Sequence, residues 1–142
     1  MLQLMKTILF LCTGNSCRSQ MAHGLCEELY PNKFKAYSAG IKKHGLNPLA
    51  VEVMSEIEID ISNNKSELID ELDIDTFDYV ITVCSSAHET CPIFPGGKTI
   101  HFGFDDPPSL SKGLPKEDAL PIYRRVRDEI KLFIENIDEH IS

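Results

Sequence analysis

The chain has no tryptophan, no long apolar run and no surplus of basic side chains: 14 Lys and Arg stand against 22 Asp and Glu, a formal charge of -8 over 142 residues. Without about 20 consecutive apolar residues there is no candidate membrane-spanning helix. The acid excess disfavours nucleic acid and anionic membrane as partners. It does not exclude a small anion, which backbone N–H groups and one arginine bind locally whatever the net charge. Met1 to Lys6 lead into only a short apolar run with no cleavage-site pattern, so a cytoplasmic location is expected. The length suits one domain, 1–142, that buries its core without staples. Its 5 cysteines, an odd number, therefore read as reduced thiols with chemical roles rather than a disulfide framework.

Lys6 to Cys12 is short, continuously apolar and closed by small polar residues, the pattern of a buried strand. From Ser19 to Tyr30, Met21, Leu25 and Leu29 share a helical face, and Pro31 stops the run. Phe34 to Ser38 and Phe77 to Val83 read as strands, Lys98 to Phe102 as a weaker one, and Asn47 to Ile57 as a helix with Pro48 in its first turn. Gly103 to Asp118 is rich in Pro, Gly and Ser and reads as a long site-forming loop. Ile122, Val126, Ile130, Phe133, Ile137 and Ile141 mark one face of a single long amphipathic helix. Strands alternating with helices predict a doubly wound α/β sandwich, a parallel sheet between helical layers.

In such a fold the first strand-to-helix turn binds phosphate-like groups. That turn is here Leu11-Cys-Thr-Gly-Asn-Ser-Cys-Arg-Ser19. Gly14 and Asn15 tolerate left-handed backbone angles, so Thr13, Gly14, Asn15, Ser16, Cys17, Arg18 and Ser19 can curl into a nest for a tetrahedral oxyanion, with Arg18 forking onto two oxygens. The same nest stabilises a thiolate at Cys12, the candidate nucleophile. Cys17, inside the loop, is expected to turn into packing, and Cys26 shares the buried face of the helix.

A second cysteine, Cys84, also ends a strand, and Cys91-Pro92 follows seven residues later. In the common strand order 2-1-3-4 the ends of the first and third strands are neighbours about 4.8 Å apart, close enough for a Cys12–Cys84 disulfide. Cys84 and Cys91 lie about 10 Å apart if the segment between them is helical, so bridging them requires it to unwind. A redox-driven change of order is expected there. Cys84, His88 and Cys91, with His101, suggest a zinc site, but the spacing matches no common structural zinc pattern. Asp106, in Phe104-Asp-Asp-Pro-Pro108, is either the proton donor that expels an oxygen from the anion or an ordinary Asp-Pro turn.

These motifs resemble the thioredoxin-coupled arsenate reductases built on the low-molecular-weight tyrosine phosphatase fold. The resemblance rests on LCTGNSCRSQMA at 11–22, YSAG at 37–40, HGLNP at 44–48, Cys84 with Cys91-Pro92, GFDDP at 103–107 and RVRDEI at 125–130. It implies a three-layer sandwich around a four-stranded parallel sheet of order 2-1-3-4. It further implies that Cys12 attacks arsenate held by Arg18 and the loop while Asp106 protonates the departing oxygen. Cys84 then takes Cys12 into a disulfide as arsenite leaves, and Cys91 takes Cys84 into a second one that thioredoxin reduces. No organic cofactor is implied and a monomer is expected. Relatives that hold potassium beneath the loop use Asn, Glu, Ser and Asp. Here Asn15 and Ser38 match but His23 and Glu67 replace the two acids, which puts a potassium site in doubt. A tyrosine phosphatase would share Cys12, Arg18 and Asp106 but has no use for Cys84 and Cys91. Pro108-Ser109-Leu110 also stands where phosphatases carry aromatics, so weak phosphatase activity at most is expected. A non-enzymatic zinc or phosphocarrier module would explain the loop but neither Asp106 nor the third cysteine.

Overall fold

The structure, a computed structural model, describes residues 5–84, 94 and 96–141. Strand β1 (Lys6–Cys12) lies inside the sheet. Strand β2 (Phe34–Gly40) pairs parallel with it on one side, from Lys6↔Phe34 to Cys12↔Gly40. Strand β3 (Tyr79–Thr82) pairs on the other, from Ile8↔Tyr79 to Leu11↔Thr82, and β4 (Lys98–His101) lies beyond it. The order β2-β1-β3-β4, all parallel, is the expected one.

Side chains alternate across a strand. Ile8, Phe10 and Cys12 therefore enter the larger of two hydrophobic clusters, and Leu9 and Leu11 the smaller. Both faces of β1 are buried, which is why the segment is continuously apolar rather than alternating. Helix α1 (Arg18–Leu29) returns the chain from β1 to β2 and buries Met21, Ala22, Leu25 and Cys26. Helix α2 (Pro48–Ser55) is capped by Asn47, whose Oδ1 accepts from the N–H groups of Leu49 at 2.8 Å and Ala50 at 3.2 Å. Both contribute to the larger cluster, as does α4 (Lys116–Glu135), which packs on each of them. The smaller cluster is roofed by Tyr37, Ile69, Leu72 and Ile74, with Phe77 edge-on between Tyr37 and Phe94. A 3-10 turn at Ile69–Glu71 carries that roof.

Two segments differ from expectation. The C-terminal stretch is two helices, α4 and a short helix at Ile137–Ile141, broken at Asn136 (φ -109°, ψ 24°). Phe133, Ile137 and Ile141 stay buried across the break, so the helical spacing of apolar residues continues through it and hides it. The expected long loop at Gly103 to Asp118 contains a helical turn, α3 (Pro107–Leu110), and ends where α4 begins at Lys116. Pro107 suits a first helical position because its missing N–H would have no partner there. The change of order expected around His88 and Cys91 falls outside the described residues. Among the described residues no helix is long and apolar enough to cross a membrane.

Phe10 is fully buried and Leu132 is 61% exposed. Phe10→Ala is expected to lower stability by about 3–5 kcal/mol, and Leu132→Ala by no more than about 0.5 kcal/mol, measured by urea denaturation.

Candidate active site

The loop between β1 and α1 is held from outside by its carbonyls. Thr13 O accepts from the N–H groups of Ile41 at 3.0 Å and Lys42 at 3.1 Å, Gly14 O from that of His44 at 3.1 Å, and Ser16 O from that of Asn47 at 3.0 Å. Asn15 O accepts from Ser66 Oγ at 2.7 Å and Gln20 Nε2 at 3.2 Å. A trans peptide points its C=O and N–H in opposite directions. With the carbonyls of 13–16 turned outward, the N–H groups of Gly14, Asn15, Ser16 and Cys17 face the other way, a nest for an anion. Asn15 has φ 47°, the left-handed angle that curls the loop. Gly40 closes the nest from β2. A Cβ there would lie 2.7 Å from Thr13 O, 2.8 Å from Asn15 N and 2.9 Å from Cys12 O.

The N-terminus of α1 adds its positive end to the nest, and Cys17 at the cap position makes no side-chain capping bond. Cys12 Sγ lies 2.9 Å from Ser19 Oγ, which accepts from Asn15 Nδ2 at 2.7 Å. Ser19 thus keeps its own proton to donate, and a thiolate at Cys12 would receive it. Arg18 is buried, donating through Nη1 to Phe104 O at 3.1 Å, while its Nη2 lies 3.5 Å from Asp106 Oδ1. Asp106 precedes α3 and accepts from Ser109 Oγ at 2.8 Å through Oδ2. A cavity of about 350 Å³ is lined by Cys12, Thr13, Gly14, Ser16, Cys17, Arg18 and Asp106, together with His44, Asn47 and Pro108. Asn15 and Ser19, expected in the anion cradle, do not line the cavity and are fully buried, Ser19 against Cys12 and Asn15 against Ser19.

His44 and Asn47 were not singled out as site residues from the sequence. Asn47 carried a signal, the Asn-Pro of a helix start. His44 packs so closely on Gly14 that a Cβ on the glycine would meet its ring at 2.2 Å. Cys17 is packed into the larger cluster as expected, although it also touches the cavity. Burial, then the neighbouring Cys12 and Asp106, push its thiol well above the ordinary range, while Arg18 opposes them. Burial pushes Cys26 up to about 12, with Glu27 adding to it.

Cys84 is fully buried in the same cluster as Cys12. Val83 N–H donates to Leu11 O at 2.9 Å, so the β1–β3 ladder continues past Leu11↔Thr82 and the two cysteines follow that last pair by one and two residues. Strands about 4.8 Å apart with one residue of stagger, about 3.3 Å, put their Cα atoms roughly 6 Å apart, within disulfide range. Cys91 and His88 lie outside the described residues, and among those described no group of His, Cys, Asp and Glu is arranged to hold a metal. His101, the fourth member of the imagined zinc set, bonds Thr82 Oγ1 through Nδ1 at 2.7 Å.

Residues 7–141 match the family model of the low molecular weight phosphotyrosine protein phosphatases. The chain belongs to that family. Within it, the chain is 52% identical over 131 residues to an arsenate reductase of Staphylococcus aureus strain N315, covering 92% of this chain and 94% of the relative. Among solved structures it is similar to an arsenate reductase in the phosphate-binding state, with a TM-score of 0.79 and 32% identity over 97% of this chain and 100% of the other. A low molecular weight protein tyrosine phosphatase of T. tengcongensis matches with a TM-score of 0.69 and 26% identity, covering 94% of this chain and 98% of its own.

Two outcomes follow for this phosphatase-fold site. Gly40→Ala pushes the loop backbone out of place and is expected to weaken phosphate binding about 10- to 100-fold, measured by isothermal titration. Iodoacetamide at pH 8 is expected to leave Cys17 and Cys26 unlabelled in the folded protein and to label both in urea, read by mass spectrometry of peptides.

Proposed function

We propose that this chain reduces arsenate to arsenite by a relay through Cys12, Cys84 and Cys91, with thioredoxin as the electron donor. The observation that carries this reading is the placement of a second buried thiol, Cys84, beside the oxyanion loop in the cluster that holds Cys12. A hydrolase needs the loop, Arg18 and Asp106 but not that thiol.

In the first step the Cys12 thiolate attacks arsenic(V), and Asp106 gives a proton to the departing oxygen, which leaves as water. The N–H groups of the loop and Arg18 hold the remaining oxygens. The Cys84 thiolate then attacks Cys12 Sγ. A sulfur–sulfur bond forms, the electron pair of the sulfur–arsenic bond stays on arsenic, and arsenite departs. Cys91 attacks Cys84 Sγ, frees Cys12 and leaves a Cys84–Cys91 disulfide. Thioredoxin, at about -270 mV, is the reductant proposed for that disulfide.

The reading needs no organic cofactor and no potassium. Beneath the loop Asn15 Oδ1 accepts from Gln20 Nε2 at 3.1 Å and Glu67 N–H at 2.8 Å. Ser38 Oγ is bonded to His23 Nδ1 at 2.9 Å, and His23 Nε2 meets Glu27. Asn15 Oδ1 and Ser38 Oγ are thus engaged within the protein, and no step of the proposed reaction is routed through potassium. A cytoplasmic monomer acting on a free anion is the setting that fits this chemistry, and hydrolysis of aryl phosphates is at most a side reaction.

The test is arsenate-dependent NADPH oxidation with thioredoxin and thioredoxin reductase. Cys12→Ser, Cys84→Ser and Cys91→Ser are each expected to abolish turnover, whereas Cys84→Ser and Cys91→Ser leave phosphate binding intact. Turnover that survives loss of Cys91 would sink the relay, and a lack of arsenate dependence in the unmodified protein would sink the reading.

A further inference from the structure

Three of the four outward carbonyls of the loop, those of Thr13, Gly14 and Ser16, are held by backbone N–H groups of residues 41–47. The fourth differs. Among the described residues the Asn15 carbonyl accepts from side chains alone, Ser66 Oγ at 2.7 Å and Gln20 Nε2 at 3.2 Å. Gln20 is 1% exposed. Its Nε2 also reaches Asn15 Oδ1 at 3.1 Å and Lys65 O at 3.1 Å, and its Oε1 accepts from Asn64 Nδ2 at 3.3 Å, which fixes the orientation of the amide. Glu67 N–H takes the remaining side of Asn15 Oδ1. The segment 64–67 and Gln20 therefore buckle Asn15 from behind.

We propose that Ser66 and Gln20 are positioning residues for the oxyanion: they hold the Asn15–Ser16 peptide so that the Ser16 N–H faces the bound anion. Neither touches the anion cavity. Turning that peptide over would remove one donor from the nest and offer a carbonyl oxygen to an anion in its place. Asn15 at φ 47° stands in a sparsely populated backbone region, where the surrounding contacts decide which way its peptide points. The inference rests on this loop being the oxyanion site, not on the reduction of arsenate.

The probe is inorganic phosphate, followed by the backbone amide signals of the full chain in nitrogen-15 NMR. In the unmodified protein the Gly14 and Ser16 amides are expected to move together on titration. In Ser66→Ala with Gln20→Met the Ser16 response is expected to fall by at least half while that of Gly14 persists. Phosphate affinity should drop about tenfold or more, the loss of one hydrogen bond to a charged partner. Ser66→Thr, which keeps the hydroxyl, should restore both. Ser66→Ala alone removes a single oxygen and serves if the double variant does not fold. A Ser16 amide that keeps its full response, or a loss shared equally by Gly14, overturns the proposal. Failure of arsenate turnover with these amide responses intact would instead count against the reductase reading alone.

Discussion

A trans peptide cannot turn its carbonyl and its N–H to the same side, and the site depends on that constraint. To aim consecutive N–H groups at an anion, the loop must send its carbonyls outward, and each must meet a donor because the region is buried. The surrounding fold supplies them: the chain leaving β2 serves Thr13 and Gly14, the start of α2 serves Ser16, and residues 66 and 20 serve Asn15. Gly40 belongs to the same requirement, since β2 must end against the loop with no side chain between them. The nest is a tertiary structure, although its residues are contiguous in sequence.

This explains how a chain of charge -8 can carry an anion site. The long-range field is unfavourable but is screened over about 8–10 Å at physiological ionic strength. Inside the cavity the anion meets oriented dipoles, the end of α1 and a buried guanidinium, in surroundings where these interactions are much stronger than in water. Two cysteines at the same cavity are separated by environment. Cys12 lies against the Ser19 hydroxyl, which is itself oriented by Asn15. Cys17 is pushed toward the neutral thiol by burial and by its neighbours. One loop thus holds a thiol that faces a hydroxyl donor and another that burial keeps from ionising.

The parts legible in the sequence were those written locally. The run from Lys6 to Cys12 revealed a strand buried on both faces, and the small polar turn with Arg18 directly after it marked the loop that lines the cavity. Features that depend on distant contacts were not legible. Of residues 64–67 the sequence marked only Glu67, and the segment's hold on Asn15 emerges only once β2 and the bridge Gly40↔Leu68 bring it beside the loop. The break at Asn136 is hidden for the opposite reason, because the apolar spacing continues through it. The turn of α3 is hidden because two prolines and two serines read as loop, while Pro107 and Pro108 are compatible with the start of a helix.

The step from a hydrolytic site to a reductive one turns on topology more than on the loop. Because β3 pairs with β1 in the sheet, Cys12 at the end of one strand and Cys84 just past the end of the other come beside each other. Both thiols are buried, Cys12 at 3% exposure and Cys84 at 0%. Burial suits the proposed first exchange, since it keeps water from the thiol–arsenic bond while the second sulfur attacks. It also creates a problem, because a disulfide formed there lies where a protein dithiol cannot align with it. In the proposed relay a third sulfur resolves this. Cys91 is seven residues along the chain from Cys84, and in the relay passing the bridge to it frees Cys12 for the next anion.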